Sequence, residues 1–141
     1  MKNLVRLASI AGLIAFSGSA AFAQSDMKAR VPFAFATPGG GQMPAGTYAV
    51  SKLSNNSVLT TYRLYNVESR KSVIAFAAEV VQRPEKDTTY APQLTFRCAG
   101  ENCAISGIFH TGSKYGSGMR VRMKNVDPAM QIAEIAIPVG E

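Results

Sequence analysis

The chain has no tryptophan, one histidine and two cysteines in 141 residues. A zinc centre would need ligands beyond these three residues. The cysteines, Cys98 and Cys103, have four residues between them in a C-x4-C arrangement, not the C-x-x-C of thioredoxin-like redox sites. Acidic residues are scarce too, nine against 15 basic ones. Glu85, Asp87, Glu101 and Asp127 are scattered over turn-rich segments, in neither a paired-carboxylate nor a calcium-loop pattern. No metal and no cofactor is therefore expected, and catalysis by an acid pair is not indicated.

Long apolar runs are also missing beyond the N-terminus. The best candidate, 73–81, has nine residues and includes Glu79, whereas a membrane-spanning helix needs about 20 apolar residues. No stretch holds a capped apolar period of 3.6, so a helical fold is not expected.

The N-terminus reads as a secretory leader. Lys2 and Arg6 form a basic start, an apolar run extends from Leu7 to Phe16, Ser17-Gly18-Ser19 breaks it, and Ala21-Phe22-Ala23 fits a small-x-small cleavage site. The apolar core is half the length of a membrane anchor, so the expectation is a signal peptide over 1–23 and one mature domain over 24–141. No cysteine near the cleavage point offers a lipid attachment site, and no twin-arginine pair precedes it. A soluble periplasmic or extracellular product is expected. Two of the 15 basic residues leave with the leader, so the mature chain has 13 against nine acidic ones, a net charge of +4. That mild excess favours anionic partners, although it also simply keeps a small domain in solution.

The remainder reads as all-β. Apolar or alternating runs occur at 30–36, 46–53, 58–67, 72–82, 93–99, 103–111, 119–125 and 130–137. Pro38-Gly39-Gly40-Gly41, Ser54-Asn55-Asn56-Ser57, Glu68-Ser69-Arg70-Lys71 and Asp127-Pro128 punctuate them. About eight strands at this spacing predict an antiparallel meander, either a barrel or a two-sheet sandwich. A short helix is the alternative for 129–137. The run 72–82 is apolar on both faces, which predicts a central strand or one covered by a loop or partner. The segment 84–92 is polar, bounded by prolines, and reads as an exposed loop.

Export makes a disulfide the natural state of the cysteine pair. A hairpin turning through Ala99-Gly100-Glu101-Asn102 places Cys98 opposite Cys103 and Phe96 opposite Ile105, within the span a disulfide accepts. Strict alternation puts Cys103, Ile105, Gly107 and Phe109 on one face and His110 on the other, at an exposed strand end.

Three groups are candidates for ligand binding. His110 lacks any sequence-adjacent nucleophile or orienting acid. The glycine-rich stretch 112–118, with Lys114 and Tyr115, lies at the same sheet end, but it fails the P-loop pattern and no helix follows it. Arg120, Arg122 and Lys124 alternate with Val121 and Met123, which predicts three cations on one strand face, with a weaker echo at Arg63 and Tyr65. Basic and aromatic sheet faces can take single-stranded nucleic acid. The dispersed tyrosines, the missing tryptophan and the modest charge speak against that partner.

Val31-Pro32-Phe33-Ala34-Phe35, a glycine turn, and then Pro44-Ala45-Gly46-Thr47-Tyr48-Ala49-Val50 form the most specific pattern in the chain. This pattern resembles a group of small secreted bacterial proteins of unknown function that share I/V-P-F-x-F followed by L-P-A-G-x-Y-x-V. Met43 replaces the usual leucine, and the run Gly39 to Gly41 is longer than is typical of the group. The resemblance covers 31–50, continues loosely through 70–73 and 94–96, and fades beyond Cys103. It implies a secreted β-rich domain and carries no activity or catalytic residue. The expected function is a non-catalytic envelope or extracellular domain that binds or assembles with an anionic envelope component or another envelope protein. A lipocalin-like carrier of a small apolar ligand is the alternative, and a small hydrolase using His110 a more distant one.

Overall fold

A computed structural model describes residues 27–56, 59–124, 126–127 and 129–140. The expected leader lies outside these residues, as do Ser57 and Pro128 of the expected turns. The described residues form eleven strands and no helix. Strands β1 (Met27–Val31), β4 (Gly46–Asn55), β5 (Thr60–Asn66) and β6 (Ser72–Ala77) make one antiparallel sheet in the order β1-β4-β5-β6. The second sheet contains β2 (Phe35–Ala36), β3 (Gln42–Met43), β7 (Glu79–Gln82), β8 (Gln93–Ala99), β9 (Asn102–Phe109), β10 (Tyr115–Gly118) and β11 (Ala133–Pro138). Its main path is β11-β8-β9-β10-β7, and β2 joins it by pairing in parallel with β9. The two sheets form a sandwich and do not close into a barrel.

Alternation selects which side chains enter the core. In β5, Tyr62, Leu64 and Asn66 are buried while Arg63 is exposed, the period-two pattern of a sheet with one wet face. Tyr48 and Val50 of β4, Val31 of β1, and Leu94 and Phe96 of β8 complete the centre. Phe35 sits edge-on to both Tyr48 and Phe96, with centroids 5.2 and 5.0 Å apart.

Several positions of the 31–50 pattern have a structural reading. Pro32 has no N–H to give a ladder, and β1 ends just before it. The chain then crosses to the other sheet, where Phe33 and Phe35 both pack on Phe96. The expected single strand over 30–36 is therefore two strands in different sheets. Gly46 has φ +150°, and a Cβ there would lie 2.6 Å from the Asn66 amide nitrogen and 2.8 Å from Glu68 Oε2. Asn66 is fully buried, accepts from the Ser69 N–H at 2.8 Å and donates to the Ala45 carbonyl. The Tyr48 hydroxyl donates to the Pro44 carbonyl, and the Thr47 N–H donates to Glu68 at 2.8 Å, which lowers the Glu68 pKa.

Two further expectations change. The run 72–82 breaks at Ala78: β6 is the last strand of the first sheet and β7 the last on the main path of the second, so this run lies at sheet edges and is not central. Residues 119–124 form no strand, so Arg120, Arg122 and Lys124 do not share a strand face. The expected C-terminal strand is present as β11, paired with β8 from Ala133↔Cys98 to Pro138↔Gln93, and the helical alternative is not adopted.

The Cys98–Cys103 disulfide is present on the core side, with Cα atoms 4.0 Å apart. Ala99 and Asn102 pair, so the hairpin loop is only Gly100-Glu101, with Gly100 at φ +61°. Replacing both cysteines by serine is expected to remove about 2 kcal/mol, the entropy of so short a loop. Gly46→Ala is expected to lose about 1–3 kcal/mol through its backbone and the displaced Asn66. Thermal melts of both variants against the parent check these values.

Candidate functional site

Phe96 pairs with Ile105 but Thr95 pairs with Gly107, so Ser106 is an extra residue in β9. Its hydroxyl and that of Thr95 are 3.0 Å apart. Gly107 has to be small here, because a Cβ would meet Thr95 Oγ1 at 2.8 Å. A bulge of this kind reverses the side-chain alternation beyond it. Ile108 turns into the core, Phe109 leaves it, and His110 faces inward. The expected grouping of Phe109 with Cys103, and the exposed position of His110, are both overturned for this reason.

His110 is half-buried. Its Nε2 lies 3.1 Å from the hydroxyl of Tyr62, and that hydroxyl lies 2.8 Å from Ser117 Oγ. The Tyr62 and His110 rings stack at 6.0 Å. Tyr62 belongs to one sheet and Ser117 to the other, so this chain of polar groups fastens the sheets together at one end. Burial pushes the Tyr62 pKa up, only partly offset by Ser117, so the phenol keeps its proton. Burial, and secondarily the positive charge of Lys52, lowers the His110 pKa and favours the neutral ring. No carboxylate bonds to that ring among the described residues.

Arg83 holds the same end together and was not singled out by the sequence. It is almost wholly buried. Its Nε donates to the Ser113 carbonyl at 2.7 Å, one terminal nitrogen donates to the His110 carbonyl at 3.1 Å, and the other pairs with Asp87 at 2.9 Å. Its guanidinium lies 4.9 Å from the centre of the Phe109 ring. Arg83 also lowers the Asp87 pKa. Lys114 contributes its carbonyl to the Arg83 N–H at 3.0 Å, while its side chain is exposed. Tyr115 opens β10 and is also exposed. The glycine-rich loop is thus pinned from beneath by Arg83.

The second group lies elsewhere. β10 pairs with β9 at Gly107 and Ile108, and β2 pairs with it at Cys103 and Ala104. Between them the Met119 N–H donates to the Ser106 carbonyl at 2.9 Å, and the chain then leaves the ladder. A surface groove of about 720 Å³ opens there, lined by Arg97, Ser106, Arg120, Arg122 and Glu79 among others. Arg120 pairs with Glu79, and Glu134 stands opposite Arg97 in the β11–β8 ladder. A further hollow of about 300 Å³ is lined by Arg122, Lys124, Gln42 and Asn102. The six candidate residues therefore divide: His110, Lys114 and Tyr115 at one sheet end, Arg120, Arg122 and Lys124 along the β9 edge. Arg97, the outward residue between Phe96 and Cys98, joins the second set; alternation in β8 was the available signal.

Among the described residues, no three His, Cys, Asp or Glu side chains gather as a metal site, and no helix is long and apolar enough to cross a membrane. The chain matches no family model, no curated protein and no solved structure.

Because the folded chain keeps His110 neutral, acid favours the unfolded chain, whose histidine takes up a proton first. Stability is expected to fall as pH drops below about 6.5, the ordinary histidine value, and to level off once the folded ring also protonates. In His110→Asn this part of the pH dependence should vanish, as read from melting temperatures between neutral and mildly acid pH. Arg83→Ala, which removes the guanidinium bonds to the Ser113 and His110 carbonyls and to Asp87, should cost about 3 kcal/mol or more by chemical denaturation.

Proposed function

We propose that this chain is an exported, non-catalytic β-sandwich domain that binds an anionic component of the cell envelope in the groove beside β9. The observation that carries this reading is the convergence of Arg97, Arg120 and Arg122, from two separate segments, on one groove with a single carboxylate, Glu79, in its lining. Guanidinium groups match the planar, bidentate geometry of phosphate and carboxylate, and they are weakly enough hydrated to shed water on binding. The neighbouring hollow, with Arg122 and Lys124, extends the same positive surface. The disulfide fits an oxidising compartment, periplasmic or extracellular, and supports export.

Two other readings are less well supported. A carrier needs a chamber between the sheets, and that space is occupied by Tyr48, Tyr62, Phe35, Phe96, Leu64 and Ile105. A hydrolase needs a base that reaches a nucleophile, whereas Ser117 Oγ is engaged by the Tyr62 phenol, with the His110 ring beyond it.

Co-sedimentation with vesicles tests the proposal. Vesicles containing anionic phospholipid, and lipopolysaccharide, should retain the protein, whereas wholly zwitterionic vesicles should not, and added salt should weaken retention. Arg122→Glu should lower affinity by about tenfold, equivalent to about 1.4 kcal/mol, with an unchanged melting temperature. Equal retention on zwitterionic vesicles, or an Arg122→Glu variant that binds like the parent, would refute the groove as the site.

A further inference from the structure

We infer that the outer face of the first sheet is a lipid-contact face, which lies flat on an anionic phospholipid surface. The inference begins with where the charge sits. Residues 27–77 supply all four strands of that sheet. They contain six basic residues, Lys28, Arg30, Lys52, Arg63, Arg70 and Lys71, and one acidic residue, Glu68. Residues 78–141 contain seven of each sign. The positive excess of the folded chain therefore rests on one layer of the sandwich, an asymmetry that suits an extended anionic partner.

Alternation places the charges. Lys28 and Arg30 of β1 and Arg63 of β5 alternate with the buried Ala29, Val31, Tyr62 and Leu64, so they project from the outer face. In β6, Ala75 and Ala77 are buried, so Ile74 and Phe76 project outward too, and Phe76 is 50% exposed. The register joins the two sets. Arg63 stands beside Ile74, and Lys28 begins a row that runs through Ala49 and Tyr65 to Ser72. Three strand spacings separate β1 from β6, so the cations and the apolar strip share a face about 15 Å across. The apolar run of β6 has two faces for this reason: one is core, and the other meets lipid.

The face is not self-neutralised. No carboxylate among the described residues pairs with Lys28, Arg30 or Arg63. Arg63 is steadied instead by Ser72, to which its Nε donates at 3.0 Å, and by the Tyr65 ring 5.3 Å away. Glu68 is held at the sheet's end by the Thr47 N–H at 2.8 Å, where Arg70 and Lys71 outnumber it.

Charge and shape together select the occupant. Basic residues draw the face to anionic headgroups, at roughly fivefold in affinity for each one near the surface. Ile74 and Phe76 then leave water for the acyl boundary. Neither the groove beside β9 nor the hollow next to it takes a residue from this face. It offers a flat surface, not a cleft for a compact ligand, and it is a site separate from the groove.

The chain has no tryptophan, so Phe76→Trp sets a single indole on the face. It is combined with Arg122→Glu, which removes the groove's share of vesicle binding and leaves the share of this face. Vesicles containing phosphatidylglycerol should shift the indole emission to shorter wavelength, and bromine on their acyl chains should quench it. Wholly phosphatidylcholine vesicles should do neither. Adding Arg63→Glu should lower retention on the phosphatidylglycerol vesicles by about tenfold more, with the melting temperature unchanged. An indole that stays unquenched while the protein sediments with vesicles overturns the inference, and so does equal quenching by phosphatidylcholine. A blue shift on concentrating the protein without lipid assigns the face to a second copy, and one with polyglutamate but not with vesicles assigns it to an acidic protein; either overturns the inference. If Arg122→Glu binds like the parent and the indole is quenched, the groove reading fails and this one stands.

Discussion

One extra residue in β9 governs most of what is chemically interesting here. Ser106 and Gly107 together oppose Thr95, and from that point every side chain of β9 exchanges faces. Ile108 enters the core, Phe109 is delivered beneath the Arg83 guanidinium, and the His110 ring comes to lie against Tyr62. Without the bulge, the histidine would point out of the sandwich and Phe109 into it. Edge pairing on the other side of β9 changes hands near the bulge: β10 ends beside it and β2 pairs beyond it. The groove lined by arginines opens at this changeover.

The two sheets are held by an apolar centre and, at one end, by a polar fastening between them. There Tyr62 reaches across to His110 and Ser117. Arg83 collects the carbonyls of His110 and Ser113 with the carboxylate of Asp87. At the far end of β5, Asn66 and Glu68 bind the turn that leads into β4, within the first sheet. Both sets answer the same requirement: polar groups drawn into a sandwich have to find partners there, because an unpaired one costs about 1–3 kcal/mol. Arg83 is the sharpest case, a buried cation whose five donors suit several carbonyls at once.

Much of the architecture was legible in the residues. The strand-and-turn rhythm indicated an all-β chain, and the opposition of Cys98 to Cys103 and of Phe96 to Ile105 followed from hairpin geometry alone. Less was legible where strands change sheets. The 30–36 and 72–82 runs look continuous because alternation persists through a crossing: Pro32 and Ala78 mark the breaks, but composition does not say which sheet comes next. The cationic alternation at 120–124 looked like a strand, yet the chain leaves the ladder after Met119. Period two is a property of residues, whereas a strand also needs a neighbour to pair with.

The sequence by itself determined the class of the fold, the disulfide and the turn chemistry around Gly46. Each of these rests on local rules: alternation, loop length, and the left-handed backbone region that only glycine occupies readily. Tertiary structure alone decided three things: the inward turn of His110, the burial of Arg83, and the meeting of Arg97 with Arg120 and Arg122. Each depends on a register shift or on contacts between residues far apart in the chain. A one-residue slip leaves composition and spacing unchanged while it exchanges the two faces of a strand.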